Sequence, residues 1–393
     1  MGTIISKNNI AGFVDNFASQ LDYNHAKQAE AKSKLESLSF PTTRDERWKY
    51  TRVSKVAKGA FNTVTDSKTI DLSSIHHIGS PFRLVLNNGV VDKDLSVLPS
   101  IEGVTVMPMS DALKTNSTII SEHLGKHVES NEVFANINTA FAQDGLFLHV
   151  AKNVKLEESI EIITINSEDK TWSNPRHLFI AEPGAEFHLV NVLPESGSGS
   201  LVNEMTEIFV GDNANVSYDK LQYQTSDSFY FGTEQVFQKA NSTFSINSIT
   251  TNGQLVRNDL NIIVDGENCD TNLAGIYAGK EKQHIDNHTT VDHLKGHCES
   301  NEVYKGVMDE KSTGVFNGKV FVRPNAQKIN AYQSNGNILL SKDASVKSKP
   351  ELEIYADDVR CSHGSTIGQL DEEGVFYLRS RGLSEKNARK LMV

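Results

Sequence analysis

Cysteine, proline and tryptophan are all scarce in this 393-residue sequence, at three, nine and two copies. Cys269, Cys298 and Cys361 are odd in number and far apart, which excludes the disulfide framework of a small secreted protein. The expected compartment is therefore a reducing one, the cytoplasm. Basic charge is also short: 39 Lys and Arg stand against 50 Asp and Glu, a formal net charge of −11. Binding to a phosphate backbone needs a basic face, so nucleic acid is not an expected partner. No apolar run reaches membrane-spanning length, and the N-terminus lacks the basic-then-apolar order of a signal peptide. No membrane association is expected. Met1-Gly2-Thr3-Ile4-Ile5-Ser6 fits the short myristoylation pattern and is read as a chance match. There is no G-x-x-x-x-G-K-[ST], no G-x-G-x-x-G after a strand, no G-x-S-x-G and no H-E-x-x-H. An ATP-driven step would need another subunit.

What the sequence does contain falls into three stretches. Residues from about Asn8 to Leu38 are rich in Ala, Lys, Gln, Glu and Leu and predict a helix that ends at Phe40-Pro41. Phe82 to Leu86 predicts a strand, turned back by Asn87-Asn88-Gly89 into Val90-Val91. Met109 to Leu124 and Glu132 to Phe141 have helical character. From Gly145 to about residue 360, helical periodicity gives way to short β-branched and aromatic runs separated by Gly, Asn and Asp. Asp371 to Arg381 is again helical, with Val375, Phe376, Tyr377 and Leu378 as its apolar residues. Gly382 stops it, and Ser384 caps a second helix, Glu385 to Val393. The expected division is 1–144 helical and mixed, 145–360 β, and 361–393 helical.

The β stretch carries an imperfect repeat. Leu178-Phe179-Ile180, Ile208-Phe209-Val210, Ile262-Ile263-Val264 and Ile338-Leu339-Leu340 each precede a turn and a small residue: Ala185, Ala214, Cys269 and Ala344. A strand-turn-strand unit of upper-twenties length that stacks on its own copies is a solenoid, with the small residue fitting a tight corner. Any all-β protein also places apolar triplets before turns, so spacing alone leaves a sandwich open. A second echo, His127 to Phe134 against His297 to Tyr304, has no physical explanation at the level of sequence.

Two stretches have ligand chemistry. His284 to Cys298 holds four imidazoles, a thiol and two carboxylates, all usual ligands of zinc or iron. On a strand, His284, Asp286 and His288 share one face. Their spacing fits no defined metal motif, and a polar ladder along the coils is the preferred reading; a stand-alone metal-binding β-helix protein remains the alternative. Cys361-Ser362-His363 puts a thiol and an imidazole on one strand face, about 7 Å apart. By spacing alone this is a buried cysteine beside a surface histidine, and a metal site there would need ligands from elsewhere. Arg44 to Thr51, with Trp48 and Tyr50 among charges, predicts an anchor that docks the N-terminal region onto the β stretch. Asp357 and Asp358 are adjacent, face opposite ways on a strand, and cannot act as an acid–base pair. A β-helix enzyme acting on polysaccharide would need acidic residues clustered at coil spacing, and none are seen.

Leu352 to Leu370, which includes Ala356-Asp357-Asp358-Val359-Arg360-Cys361-Ser362-His363-Gly364, strongly resembles the SufB/SufD family of iron–sulfur cluster assembly proteins. Phe376 to Gly382, Arg44 to Thr51, Gly314 to Lys319 and Asn337 to Ser341 resemble it too, so the likeness runs from about Phe40 to the end. Within the family, the Cys-x-His-Gly-[Ala/Ser]-Thr segment is the SufD form.

The resemblance implies a mainly β fold: a right-handed parallel β-helix flanked by N-terminal and C-terminal helical domains. It implies a non-catalytic scaffold subunit of a SufBCD complex, beside SufB and the ATPase SufC, with sulfur that starts at a cysteine desulfurase. It implies a transient iron–sulfur cluster at the SufB interface, with no cofactor held tightly by the lone chain. His363 matches the family histidine implicated there, and Cys361 matches a family cysteine of less defined role. A lone chain is expected to form a homodimer. The family pattern continues with further C-terminal helix that helps to bind SufC; this sequence stops at Val393, and docking to SufC is expected to be weaker.

Overall fold

The structure, a computed structural model, describes residues 10, 25–62, 68–126 and 132–393. Its centre is a flattened β-solenoid of about 8 turns. The chain lays one strand in a first sheet, turns a corner, lays one strand in a second sheet, and returns. The first sheet stacks Ile160–Ile165, Glu186–Leu193, Asn215–Gln222, Thr243–Thr250, Asp270–Gly279, Glu299–Met308, Ile329–Leu339 and Val359–Gln369, all parallel. The second sheet stacks Arg176–Ala181, Leu201–Val210, Phe229–Gln238, Leu255–Val264, His284–His293, Thr313–Val322 and Ser345–Ile354 in the same way. Strands of eight to eleven residues with alternating burial supply one inward stripe each, and each stripe packs against the coil on either side.

The corner that enters the first sheet explains the repeat. Ala185, Ala214, Ser242, Cys269, Cys298 and Ile329 each immediately precede a residue in the paired register and form one buried column. Just before each stands a residue with positive φ: Gly184, Asn213, Asn241, Asn268, His297 and Lys328. Turning the corner therefore requires a left-handed residue, which Gly and Asn adopt at least cost. Ala344 is not part of this column. It precedes Ser345 and stacks on Ser312 and Gln283, at the opposite corner. Its distance from Cys269 is thus two coils and a half, because the Ile338-Leu339-Leu340 triplet belongs to the first sheet and the other three triplets to the second.

The first strands of both sheets come from the N-terminal region. Phe82–Asn87 runs parallel to Ile160–Ile165, and Val90–Val91 folds back on it through Asn88 and Gly89, both at positive φ. Val104–Pro108 pairs antiparallel with Leu146–Val150. The predicted first helix is present as His25–Ser37; positions 8, 9 and 11–24 of that prediction lie outside the described residues. Met109 to Leu124 is two helices, Met109–Thr115 and Ser117–His123. The break is Asn116, whose φ of −123° and ψ of 30° leave the helical region while its backbone amide still closes the first helix on Ala112 O. Val133–Phe141 is a buried helix. At the other end the strand Val359–Gln369 continues past Cys361, so the helical segment begins at Glu372. Asp371 and Ser384 cap the helices Glu372–Ser380 and Glu385–Met392 by accepting from Glu373 N and Asn387 N. Of the four apolar residues in the first of these, Val375 is buried, whereas Phe376 and Tyr377 are exposed.

Candidate functional site

The solenoid ends on an open edge. Val359–Gln369 pairs with Ile329–Leu339 on one side, and among the described residues no strand pairs on the other. Its register places Cys361 over Ala331, His363 over Gln333 and Ser365 over Asn335. Ala331, Gln333 and Asn335 are all buried and inward-facing, so Cys361, His363 and Ser365 form the next rung of the interior. No further coil covers that rung among the described residues. His363 is exposed as a result, and Cys361 is half-buried.

The walls of this open end differ along the strand. Cys361 packs against the apolar core, with Leu352 and Val359 at the same margin. Burial pushes its thiol up, a backbone hydrogen bond at Ala331 working weakly the other way. At Ser365 the two sheets are tied together: its hydroxyl donates to Ser348 Oγ at 2.7 Å, and Ser348 donates to Asn335 Oδ1 at 2.7 Å. Beneath His363 lies a buried polar stack. Gln333 Nε2 donates to Glu302 Oε2 at 2.7 Å, and Thr289 donates to the other oxygen of Glu302. Burial pushes the Glu302 carboxyl up to about 7, against the pull of those two bonds. Thiol and imidazole thus share one face with one side open, which suits a soft or borderline metal that takes its remaining ligands from outside the chain. Among the described residues no group of three or more His, Cys, Asp or Glu is placed to hold a metal ion.

The His284 to Cys298 stretch is divided by the fold. His284, Asp286 and His288 lie on the outward face of the second sheet, as their alternation predicts, beneath the Arg44 to Thr51 segment. Thr51 Oγ1 donates to Asp286 Oδ2 at 2.5 Å and lies 2.8 Å from His284 Nε2. Arg257 Nη1 donates to the same Asp286 oxygen at 2.7 Å, and its other nitrogens grip Asp259 at 2.7 and 3.0 Å. Burial opposes the charge on Asp286, but His288 and Arg257 outweigh it and hold the carboxyl well below its usual range. His293 and Cys298 face inward, and His297 forms an exposed corner. The predicted polar ladder is what these residues build, with the N-terminal anchor as its lid. In the echoed motif, positions 127–131 lie outside the described residues, while Ser300, Glu302 and Tyr304 of the second copy are inward-facing rungs. Glu302 was visible only as part of that echo; its role depends on the register that sets Gln333 beside it.

Comparison with known proteins agrees with the geometry. Residues 163–393 match the family model of the SufBD core domain of SUF-system FeS cluster assembly, and residues 17–162 match that of the SufBD N-terminal region. The chain belongs to the SufBD family. It is 32% identical over 389 residues to an iron–sulfur cluster assembly SufBD family protein of Synechocystis, covering 93% of this chain and 84% of that one. It is 27% identical over 386 residues to the iron–sulfur cluster assembly protein SufD of Escherichia coli, covering 93% and 86%. The SufD of Bacillus subtilis is 24% identical over 325 residues, covering 80% and 71%. Within the SufBD family this chain is SufD-like, and its setting is the SUF system of iron–sulfur cluster assembly. No described helix is long and apolar enough to cross a membrane.

Proposed function

We propose that this chain is a non-catalytic scaffold subunit that offers His363 and Cys361 to a nascent iron–sulfur cluster shared with SufB, in a complex whose ATPase is SufC. The observation that carries the reading is the placement of both donors on one face of an unpaired edge strand. Two ligands on an open rung leave a cluster incompletely held, and a second subunit seated on that edge supplies the rest. The cluster is cargo, formed with sulfur that arrives from a cysteine desulfurase system and then passed on, and the lone chain holds no tightly bound cofactor. Nothing in the sequence resembles a nucleotide cradle, which fits a division of labour in which SufC hydrolyses ATP. The acidic charge and the three sparse thiols fit a cytoplasmic protein without nucleic-acid or membrane partners.

The test is the iron and sulfide content of the complex purified after co-expression with SufB and SufC. His363→Ala should leave the melting temperature and the co-purification of SufB unchanged, because the side chain is exposed, while iron and sulfide fall several-fold. A wild-type cluster content in that variant, or a loss explained by unfolding, overturns the assignment.

A further inference from the structure

The corner column contains two consecutive cysteines for which cluster assembly at the open end has no use. Cys269 and Cys298 occupy equivalent positions on successive coils, each immediately before the paired residues Asp270 and Glu299. Equivalent positions on neighbouring strands lie about 4.8 Å apart. That falls inside the Cα separation of roughly 4.4–6.8 Å that a disulfide requires. Both thiols are free, and both converge on one atom. Cys269 Sγ lies 3.3 Å from the carbonyl oxygen of Gly266, and Cys298 Sγ lies 3.2 Å from the same oxygen. Two more carbonyls lie close, Lys239 O at 3.0 Å from Cys269 Sγ and Gly296 O at 3.2 Å from Cys298 Sγ, and the Ser242 hydroxyl donates to Cys269 Sγ at 3.8 Å. The sulfurs are fully buried, yet the wall outside them is one turn thick, with Glu267, Asn268 and His297 exposed.

We propose that Cys269 and Cys298 are a redox-active dithiol that closes to an inter-coil disulfide when a hydroperoxide oxidises it. The Cys269 thiolate attacks the O–O bond and becomes a sulfenic acid, and the hydroperoxide leaves as an alcohol, or as water from hydrogen peroxide. Cys298 Sγ then attacks the sulfenic sulfur; the S–S bond forms, and the hydroxyl leaves as water with the Cys298 proton. Two thiols and one hydroperoxide give one disulfide, one alcohol and one water, with two electrons passing from sulfur to oxygen.

The surroundings favour this product over a bound metal. Carbonyl oxygens line both sulfurs, and a standing pair of metal thiolates would set lasting negative charge against their negative ends, whereas the Cys269 thiolate is transient and accepts from the Ser242 hydroxyl, and the disulfide product is neutral. The pair is also asymmetric, as an attacking and a resolving thiol must be. The hydrogen bond from Cys298 draws the Cys269 thiol down to about 7, and the same bond, with burial, pushes the Cys298 thiol up.

The column itself supplies conservative variants, since Ala214 and Ser242 fill the same corner on the two preceding coils. The full chain would be reduced, treated with hydrogen peroxide near neutral pH, and digested without reductant for mass mapping. The expected product is a peptide cross-linked between Cys269 and Cys298, with a melting temperature several degrees above that of the reduced chain and restored by dithiothreitol. Cys298→Ser and Cys269→Ala should fold and melt like the reduced chain but show no oxidant-dependent rise. Three outcomes overturn the proposal: both thiols stay reduced while Cys361 reacts, sulfinic acids form without the cross-link, or the Cys298→Ser chain shows the same rise.

Discussion

Arg257 lies over the indole of Trp48, its guanidinium carbon 3.8 Å from the ring centre. The residue comes from the middle of the second sheet and the ring from the N-terminal segment, and Trp48 also packs on Phe134 and Phe231, at 5.4 and 6.1 Å between ring centres. Arg257 is completely buried, and its ion pairs with Asp259 and Asp286 outweigh the burial that would discharge it. Arg47 completes the knot, reaching Asp259 at 3.2 Å and Glu132 at 3.0 Å. The stability of the N-terminal dock thus rests on one desolvated cation.

Arg257→Met should lower the free energy of unfolding by about 3–5 kcal/mol, because it leaves buried carboxylates without their main partner. Urea denaturation measures it. Adding Asp286→Asn to Arg257→Met should recover part of the loss, since the two residues touch. A single variant within about 1 kcal/mol of wild type would count against the network's role, that being the scale of an exposed pair.

His293 faces the interior between Val264 and Val322, and burial pushes its imidazole down to about 4 from 6.5. The unfolded chain therefore takes up a proton near pH 6.5 that the folded chain refuses until about pH 4. Stability rises with pH across that window and is lost as pH falls through it. At about 1.4 kcal/mol for each pH unit of the window, the loss on acidification is a few kcal/mol in all. His293→Leu should flatten the melting temperature between those two pH values; an unchanged acid slope would exclude His293 as its source.

Glu302 has the opposite sign. Its carboxyl is raised from 4.5 to about 7, so the folded chain keeps a proton that the unfolded chain has already released. Stability is full below about pH 4.5 and declines as pH rises toward 7. Glu302→Gln should melt like wild type at the acid end of this range and several degrees higher above neutral pH. Equal melting curves at both ends would mean that Glu302 is charged in the interior.

Cys361→Ser should reduce cluster content in the co-purified complex less than His363→Ala does. The thiol is raised by burial and is a poorer ligand while protonated, whereas the exposed imidazole is free to bind. A deeper loss from Cys361→Ser would reverse the ranking of the two donors.

The lone chain should be a homodimer that uses the open end of the solenoid, since an unpaired edge strand is a template for another strand. Gly364 lies on the outer face of that strand, and a Cβ added there meets no atom within 4 Å. Gly364→Lys should therefore leave the melting temperature unchanged while shifting light scattering toward monomer. A monomeric wild-type chain at high concentration would refute the expectation.

Much of this protein is written in local sequence. Left-handed corners favour Gly or Asn, small residues mostly follow them, and β-branched runs alternate in burial, so spacing pointed to a solenoid while leaving a sandwich open, the family resemblance favoured the solenoid, and the shared face of Cys361 and His363 was legible from spacing. So was the docking role of Arg44 to Thr51, because large aromatics among charges need a surface to cover. Local pattern does not record which sheet a strand joins. Ala344 looked like a fourth repeat although it turns the opposite corner, since there too a small residue follows a turn and opens a strand. Nor does it record which coils touch. Asp286 and His288 met Arg257, Glu302 met Gln333, and Cys269 met Cys298 because stacking sets residues about one coil apart side by side; Thr289 reached Glu302 across the two sheets, and Thr51 reached His284 and Asp286 from the docked N-terminal segment. The sequence by itself determined the coil and its inward stripe, which depend on φ, ψ and side-chain alternation. The tertiary structure decided which buried charges are paired and which rung is left open, because those depend on register and on where the stacking ends.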